Sequence, residues 1–338
     1  MRDVRSVIIH LTLHTSHKPL SIFYYLLNMS SNGKIILYAS YQTGETLPGY
    51  VRFALKHLAE TDFTVVLLTN NRPLSAETMS FLEDYGIKLY LTENHGFDFG
   101  MWRRFLKDVA NGHNNFVEFN SITRLLLVND SIVYFQNNFA DFIRRAEAST
   151  ADAVSLTEND EVRPHLQSFF LYLKQEALGA FYLHLLETPE QETFYEVVHR
   201  LEIGLSSAFE EAEVQTASLY RTHLRALFAY PELIAQGGGF IKRKLLQRRF
   251  DFMEKVHFIR HGAYDALNAD YHKMVCDAGL APDFKEEWLP KAVGSTAFHV
   301  ADKLWQKSFD KVGWPLLRTA IKTKYKLLKK ELVGDEYK

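Results

Sequence analysis

The sequence predicts an α/β fold in which a mostly parallel sheet carries helices on both faces and is followed by a helical region. Four short apolar runs alternate with segments of helical periodicity between residues 34 and 128, as in successive β-α-β units. The chain has 338 residues, of which 47% are hydrophobic and 24% charged, close to the average of soluble globular proteins. No run approaches the ~18 consecutive apolar residues that a membrane-spanning helix needs. We therefore expect a cytoplasmic protein that is not exported.

The elements of the first half follow one another regularly. Residues 1–33 are predicted to form an N-terminal extension. The principal domain spans residues 34–250, and its first four strands are predicted at 35–39, 64–69, 87–91 and 124–128. The intervening helices are predicted to begin after Pro48, after a capping Ser75 and near Asp98.

The second half is less regular. A further strand is predicted at 153–157, another in the aromatic run at 165–173, and mainly helices over 176–228. The remaining residues, 251–338, are predicted to be a helical C-terminal region. Its segment 314–332 combines an apolar stripe with six basic residues, which is typical of a helix lying on an anionic membrane surface, although a packed helix with a solvated basic face has the same pattern.

Composition and missing motifs exclude several classes of function. The 39 basic and 41 acidic residues leave a net charge of −2, so no overall basic footprint for nucleic acid is present. A single cysteine, Cys276, excludes an intrachain disulfide and a cysteine-based zinc cluster. The sequence contains no G-x-G-x-x-G after the first strand, no phosphate-binding P-loop and no G-x-S-x-G nucleophile motif.

Polar residues follow the fourth predicted strand, where ligands bind in parallel sheets. The run Asn129-Asp130-Ser131 places an amide, a carboxylate and a hydroxyl at the carboxyl edge of the sheet. Such a carboxylate can hold Mg²⁺ or Mn²⁺, the hard cations that bridge diphosphate oxygens. The alternative is that Asp130 only caps the following turn.

A second polar segment follows the third predicted strand. Asn94, Gly96 and Asp98 precede a helix whose free N–H groups favour anions, although a tight turn with a capping aspartate would look the same. Asp98 and Asp130 are predicted to converge. Two carboxylates held near one spot call for a cation, a substrate or a proton.

Four motifs follow one another along the chain. They are E-N-x-G-x-D-x-G-x-W, L-L-x-N-D-S, H-L-Q-S-F-F and E-I-G-L-S, at residues 93–102, 126–131, 165–170 and 202–206. In this order they resemble the motifs of the rhamnan synthesis protein F family, bacterial glycosyltransferases of cell-surface polysaccharide assembly. Residues 239–246 are similar to a further family segment. The resemblance covers residues 34–246.

The resemblance implies a glycosyltransferase-A-like (GT-A-like) fold, a nucleotide-sugar donor and transfer by a hexosyltransferase-class enzyme. The acceptor would be a growing cell-surface polysaccharide, such as lipopolysaccharide, or a lipid-linked glycan, and the family name points to rhamnose. In that fold a D-x-D motif usually holds the metal ion and the diphosphate. Here Asn129-Asp130-Ser131 stands in its place with one carboxylate, so Asp130 is the predicted ligand of a Mg²⁺ or Mn²⁺ ion.

The remaining site residues are assigned on that basis. Tyr41 is predicted to stack on the base of the donor. The other residues predicted to contact the donor are Asn94, Gly96, Asp98, Asn129, Asp130 and Ser131. His165 and Gln167 are predicted to bind the acceptor. Glu202 is preferred over Glu158 as the catalytic base because the nearby Gly204 permits close approach, and Asp130 is the second catalytic residue.

Two alternatives remain open at this point. A protein of the same fold could bind nucleotide sugar or glycan without turning it over, which the single carboxylate of N-D-S makes conceivable. A structural partner in a polysaccharide assembly complex would neither bind nor hydrolyse the donor. Under the enzyme hypothesis, the protein works at the inner face of the cell membrane, which the 314–332 helix would contact.

Overall fold

A computed structural model describes residues 33–247, except 42–43, 71–72, 115, 161 and 223–225, together with residue 280. The predicted N-terminal extension up to residue 32, and the region 251–338 with its basic helix, lie outside the described residues apart from Leu280. The domain boundaries and the membrane-surface helix therefore stay predictions.

The described residues form ten strands. They are β1 (Lys34–Ser40), β2 (Thr64–Thr69), β3 (Lys88–Leu91), β4 (Arg124–Asn129), β5 (Ile132–Tyr134), β6 (Ala153–Asn159), β7 (His165–Leu166), β8 (Phe170–Lys174), β9 (Thr216–Tyr220) and β10 (Phe240–Lys242). The four strands predicted in the first half and the one at 153–157 are confirmed, each to within two residues at either end.

The helices within the same described ranges cover the sheet. They are α1 (Gly49–Ala59), α2 (Ala76–Asp84), α3 (Phe97–Ala110), α4 (Phe139–Ala148), α5 (Gln175–Glu187), α6 (Phe194–Glu196), α7 (Ile203–Glu211), α8 (Tyr230–Ala235) and α9 (Arg243–Gln247). A 3₁₀ turn lies at Phe119–Ser121, and a π-helical turn, Val197–Glu202, joins α6 to α7. Among these residues, none of the helices combines the length and apolar character that crossing a bilayer would require.

The main sheet has eight strands in the order β3-β2-β1-β4-β8-β6-β7, with β9 also paired to β6. The strands β1 to β4 are mutually parallel, and β9 is parallel to β6. The strand β8 runs antiparallel to both of its neighbours, β4 and β6. The predicted mostly parallel α/β fold is confirmed, with two antiparallel strands: β8 in the middle of the sheet and the short β7, which pairs with β6 at one edge.

Local sequence explains the first elements. The α1 helix follows Pro48 and buries Val51, Ala54, Leu55 and Leu58 on one stripe. The α2 helix is capped as predicted, since the Ser75 hydroxyl oxygen accepts a hydrogen bond from the Thr78 N–H at 3.2 Å.

The sheet is covered on both faces because its central strands are apolar throughout. On one face, β1 and β4 contribute Leu37 and Leu127 to a core that includes Trp102 of α3, Phe181 of α5 and Leu205 of α7. On the other face, α1 and α4 pack on the sheet. Side chains alternate along a strand, so residues at its carboxyl end point in turn towards each layer.

One prediction for the second half needs correction. The run 165–173 is not one strand, because residues 167–169 form a turn between β7 and β8. The described part of 176–228 is mainly helical as predicted, and it also contains Thr216–Tyr220, which pairs with β6 as β9. Only Tyr220 of β9 is buried, so the strand lacks the apolar run that marks the inner strands.

Candidate functional site

The parallel register brings the ends of β1, β2 and β4 to one edge. Ser40 lies beside Thr69, and Ala39 lies beside Asn129. The small β5–β10 sheet adds to this edge, because β10 ends at Lys242 and the next residue, Arg243, donates its backbone N–H to the Ser131 carbonyl at 2.8 Å. Residues that are more than a hundred positions apart therefore meet here.

Asn129 organises the turn that follows β4. Its Oδ1 accepts hydrogen bonds from the Ser131 N–H at 3.1 Å and the Ser131 hydroxyl at 2.6 Å. Capping of this turn was the alternative role predicted for Asp130. In the structure Asn129 caps the turn, and the Asp130 carboxylate has other partners.

Asp130 is paired with an arginine. Its Oδ2 accepts a hydrogen bond from the Ser40 hydroxyl at 3.1 Å and lies 3.0 Å from Nη1 of Arg243. Nη1 also donates to the Tyr50 hydroxyl at 2.6 Å. Burial, the largest single effect, works to lower the pKa of Arg243, but the Asp130 carboxylate together with Tyr50 and Tyr38 raises that pKa above its usual range. Arg243 is therefore charged.

Asp98 lies on the other side of Asn129. The Asn129 Nδ2 donates to its Oδ2 at 2.5 Å, and the Phe99 N–H donates to its Oδ1 at 3.0 Å. Burial, followed by the negative charge of Glu202, raises the pKa of Asp98 to about 6 in spite of these hydrogen bonds. Asp98 therefore changes its charge near neutral pH.

Glu202 ends the π-helical turn, a distortion that is frequent at functional sites. Its Oε2 accepts hydrogen bonds from the Ser168 hydroxyl and from the Ser168 N–H, the latter at 3.1 Å, and its Oε1 lies 3.6 Å from Nε2 of His165. Burial works to raise the pKa of Glu202, but His165, Ser168 and the charge of Lys242 hold it below its ordinary value. Glu202 is ionised at neutral pH.

The structure separates the two residues that were predicted to bind the acceptor. His165 is buried, donates from Nδ1 to the Arg163 carbonyl at 2.8 Å and faces Glu202 with its other nitrogen. Gln167 is also buried, and its Oε1 accepts a hydrogen bond from the Thr157 hydroxyl at 2.7 Å. His165 thus belongs to the carboxylate cluster, whereas Gln167 is bound to a neighbouring strand.

The residues predicted on the donor side lie along the same edge. Tyr41 directly follows β1 and has 48% of its surface exposed, while the next residue, 42, lies outside the described residues. Asn94 and Gly96 belong to the loop before α3. The expected capping by Asp98 is not found: Gly96, in a left-handed conformation with φ 72°, precedes the helix, and Asp98 lies in its first turn.

An arginine of α3 holds this loop in place. Arg104 donates from Nε to the Thr92 hydroxyl at 2.8 Å and from Nη2 to the His95 carbonyl at 2.8 Å, so it supports the loop that carries Asn94 and Gly96. The neighbouring Arg103 is buried and donates instead to the Thr188 carbonyl, beyond α5.

Gly100 is a packing requirement of the same loop. A Cβ at this position would lie 2.0 Å from the His95 carbonyl oxygen. In an ordinary helix, alanine in place of glycine adds about 1 kcal/mol of stability. We expect Gly100→Ala instead to lower the free energy of unfolding by about 1–3 kcal/mol, because the loop has to move away.

Gly204→Ala in α7 is the matched control, to be measured with Gly100→Ala by urea denaturation. The nearest atom to a Cβ at Gly204 is the end of the His184 ring at 3.3 Å, so the change there is expected to be smaller. A stabilising Gly100→Ala would contradict the packing argument. The predicted role of Gly204 in close approach is also revised, since the position faces His184.

The predicted metal ion at Asp130 competes with a protein cation. The Asp130 Oδ2 that would bind Mg²⁺ or Mn²⁺ already contacts Arg243 and Ser40. Within the described ranges, no group of three or more His, Cys, Asp and Glu side chains could hold a metal ion. Even a Mg²⁺ ion, which can be held by one or two carboxylates together with water and ligand phosphates, would have to compete with Arg243 and Ser40 for this oxygen, so the donor set fits a divalent cation poorly.

Sequence reasoning missed the cations of the site. Lys242 and Arg243 reach the edge only through the pairing of β10 with β5. The available signal was the segment 239–246, which follows a glycine-rich break and carries consecutive basic residues. The pairing of Ser168 with Glu202 was missed as well, because it depends on the turn between β7 and β8.

A protein family matches most of this chain. The match to the family described as rhamnan synthesis protein F covers residues 65–269, more than half of the sequence, and includes all the carboxylates and cations above. Among curated proteins, none matches.

Several solved structures resemble the chain weakly. A cytidylyltransferase from Leptospira borgpetersenii serovar Hardjo-bovis is 14% identical over 68% of this chain and 94% of its own, with a TM-score of 0.31. A glycosyltransferase involved in glycosylation of the major capsid of PBCV-1 is 13% identical over 62% and 94%, with a TM-score of 0.34. The CTP:phosphocholine cytidylyltransferase from Streptococcus pneumoniae is 10% identical over 55% and 90%, with a TM-score of 0.34. Likeness at this level identifies neither a substrate nor a reaction.

Proposed function

Because the chain belongs to the rhamnan synthesis protein F family, we propose that it is a glycosyltransferase that uses a nucleotide-sugar donor. The acceptor is a growing cell-surface polysaccharide or a lipid-linked glycan. The observation that carries the proposal is the meeting of Asp98, Asp130 and Glu202 with Lys242 and Arg243 at the carboxyl edge of the sheet. Transfer from a nucleotide sugar needs both a proton acceptor and positive charge for the departing diphosphate.

The donor lies along the edge formed by β1, β4 and the loop before α3. The exposed ring of Tyr41 stacks on the base, an arrangement that suits an aromatic side chain open to solvent. Asn94 and Gly96 contact the sugar and phosphates. Asn129, with its side chain fixed between Asp98 and Ser131, keeps the spacing of this edge constant.

The reaction joins an acceptor hydroxyl to the anomeric carbon of the donor. The hydroxyl oxygen forms the new bond, the bond from the anomeric carbon to the diphosphate oxygen breaks, and the diphosphate leaves with the electron pair. Glu202 takes the hydroxyl proton, supported by its ionised state and by the two Ser168 hydrogen bonds that fix its orientation. The buried His165, whose Nε2 faces Glu202, orients this carboxylate towards the acceptor, and Gln167 supports the same turn. Asp98, whose pKa of about 6 suits proton transfer, is the other carboxylate that can take the proton.

A thermal-shift panel of nucleotide sugars tests the proposal. A donor that binds only the folded protein stabilises it by about 2.7 kcal/mol at a concentration of one hundred times its Kd, so the correct nucleotide and sugar raise Tm clearly. The panel includes nucleotide-linked rhamnose, because the family name refers to rhamnan. Hydrolysis of the stabilising donor without acceptor then measures turnover.

The possible outcomes separate the alternatives. Binding with hydrolysis or transfer supports the enzyme. Binding without either supports the non-catalytic nucleotide-sugar-binding protein, which the pairing of Asp130 with Arg243 favours as the second candidate. A chain that no nucleotide sugar stabilises would contradict both and leave a structural partner of the assembly machinery.

A further inference from the structure

We infer that Lys242 and Arg243, and not a divalent metal ion, neutralise the diphosphate of the ligand at this edge of the sheet. This rests on the proposed function, because the diphosphate belongs to the nucleotide-sugar donor. It names the groups that receive the leaving group's charge, which the family assignment leaves open.

Two oxygen atoms that a metal ion would use at the end of β4 are already bonded to protein donors. Asp130 Oδ2 contacts Ser40 and Arg243, and Asn129 Oδ1 accepts both hydrogen bonds from Ser131. Mg²⁺ and Mn²⁺ need carboxylate or carbonyl oxygens that are open to them. To bind either ion, Asp130 would have to give up a buried ion pair, and breaking such a pair is strongly unfavourable.

The other two carboxylates are also committed. Asp98 accepts from Asn129 and the Phe99 N–H, and Glu202 accepts twice from Ser168. Asp98 lies near enough to Asp130 and Glu202 for both charges to contribute to its raised pKa. The side chain of Asn129 nevertheless bonds to Asp98 while Asp130 pairs with Arg243, so the acids are directed at different protein groups.

Arg243 has the chemistry that a diphosphate requires. Its guanidinium carries five N–H donors, and its hydrogen bonds to described residues, Asp130 and Tyr50, both use Nη1. The donors on Nε and Nη2 remain for a ligand, and 24% of the side chain is exposed, against 10% for Asp130. An arginine held from one side by a carboxylate is pre-oriented to bind phosphate oxygens in pairs from the other.

Lys242 supplies a second positive charge next to it. Its Nζ lies 4.0 Å from the centre of the Phe169 ring, and its charge reaches Glu202 strongly enough to lower the pKa of that carboxyl. The backbone bond from Arg243 to the Ser131 carbonyl and the pairing of Lys242 with Ile132 fix both residues against the end of β4. Lys242 and Arg243 are thus held next to the residues that directly follow β4, where Asp130 lies.

A diphosphate needs positive charge at this edge. Asp98, Asp130 and Glu202 bring up to three negative charges, so a ligand that is itself negative would be repelled without cations. Lys242 and Arg243 are cations that the described structure places beside these acids, and they offset two of the negative charges.

Binding of nucleoside diphosphates to the full-length protein tests the inference. UDP, GDP and dTDP are titrated by calorimetry in buffer with EDTA and again with Mn²⁺. We expect the diphosphate that binds to do so with a Kd that differs by less than about threefold between the two buffers. Binding that EDTA abolishes and Mn²⁺ restores would overturn the inference while leaving the proposed function intact. If none of the three binds in either buffer, the proposed function fails together with it.

Matched variants test the two residues themselves. Arg243→Met alone leaves Asp130 without its partner, so the double variant Asp130→Asn with Arg243→Met, which removes both charges, is the informative one. We expect it to fold and to bind the diphosphate about 10- to 100-fold more weakly, with a similar loss for Lys242→Met. Lys244→Met removes the same charge one residue further along α9 and is expected to change Kd by less than about threefold.

The nucleoside monophosphates are the second readout. Because the inference assigns the cations to the diphosphate, the double variant should bind UMP, GMP and dTMP with a smaller loss than the corresponding diphosphates. A double variant that binds nucleoside diphosphates as tightly as the wild-type protein would show that Arg243 serves only as the structural partner of Asp130, and would overturn the inference.

Discussion

Replacement of Glu202 by glutamine is expected to lower sugar transfer by about 10²- to 10⁴-fold, the usual contribution of a general base. Glutamine keeps the size of the side chain and an oxygen that accepts from the Ser168 N–H, so the fold should be retained. What it loses is the negative charge that receives the acceptor proton. The measurement is the transfer rate at saturating donor, with Tm as the check on folding.

Glu158→Gln is the matched control for this experiment. Glu158 was the other candidate base in the sequence, and in the structure it is exposed on β6. Its replacement is expected to leave transfer within about threefold of the wild-type rate, as for a surface charge. If Glu202→Gln retained wild-type turnover, or if both variants lost it equally, the assignment of Glu202 as the base would be wrong.

Asp98→Asn is expected to become more stable, relative to the wild-type protein, as the pH rises from 4 to 7. The pKa of Asp98 is about 6 in the folded protein, against 3.8 in the absence of its surroundings. The folded protein therefore holds this proton to higher pH than the unfolded chain does. The more favourable protonation of Asp98 in the folded state adds about 3 kcal/mol to the free energy of unfolding of the wild-type protein. This contribution is fully present below pH 3.8 and is lost as the pH rises through 6.

Urea denaturation at several pH values measures this difference. The asparagine variant lacks the titrating group, so its stability should not fall over that interval from this cause. The exposed Asp84, changed to Asn, is the control and should show no such divergence from the wild-type protein. A constant difference between Asp98→Asn and wild type at all pH values would show that Asp98 is not held protonated.

The two carboxylate variants together identify the proton acceptor. The charge of Glu202 contributes to the raised pKa of Asp98, so Glu202→Gln should shift the titration of Asp98 to lower pH. If Asp98 were the base, the acidic limb of the pH–rate profile of the wild-type enzyme would lie near 6 and would disappear with Asp98→Asn. If Glu202 is the base, that limb lies lower and disappears with Glu202→Gln.

The first half of the fold could be predicted from sequence because each strand there is a short apolar run between strong boundary signals. The runs at β1, β2 and β4 are buried almost throughout, and Gly86, with φ 63°, follows α2 shortly before β3. The second half was harder. The strands β7 and β8 lie in the aromatic run 165–173, and its two polar residues, Gln167 and Ser168, were the available signal that the chain turns between them.

The site was predicted in part, for a similar reason. Residues that directly follow a strand could be found, and Asp98, Asn129 and Asp130 do lie at the carboxyl edge. Their partners could not, because they depend on pairing across long sequence distances. Arg243 meets Asp130 through β10, and Ser168 meets Glu202 through a π-helical turn, which no periodicity in the sequence marks.

The antiparallel β8 has a consequence for how the chain acquires its shape during synthesis. The strands β1 to β4 can associate as soon as residue 129 has left the ribosome, but the inner side of β4 then has no neighbour until residues 170–174 arrive. Until that moment, an apolar strand edge is open to pairing with another nascent chain. Truncations that end between residues 135 and 169 should therefore aggregate, and a polypeptide that reaches residue 174 closes that edge with its own backbone.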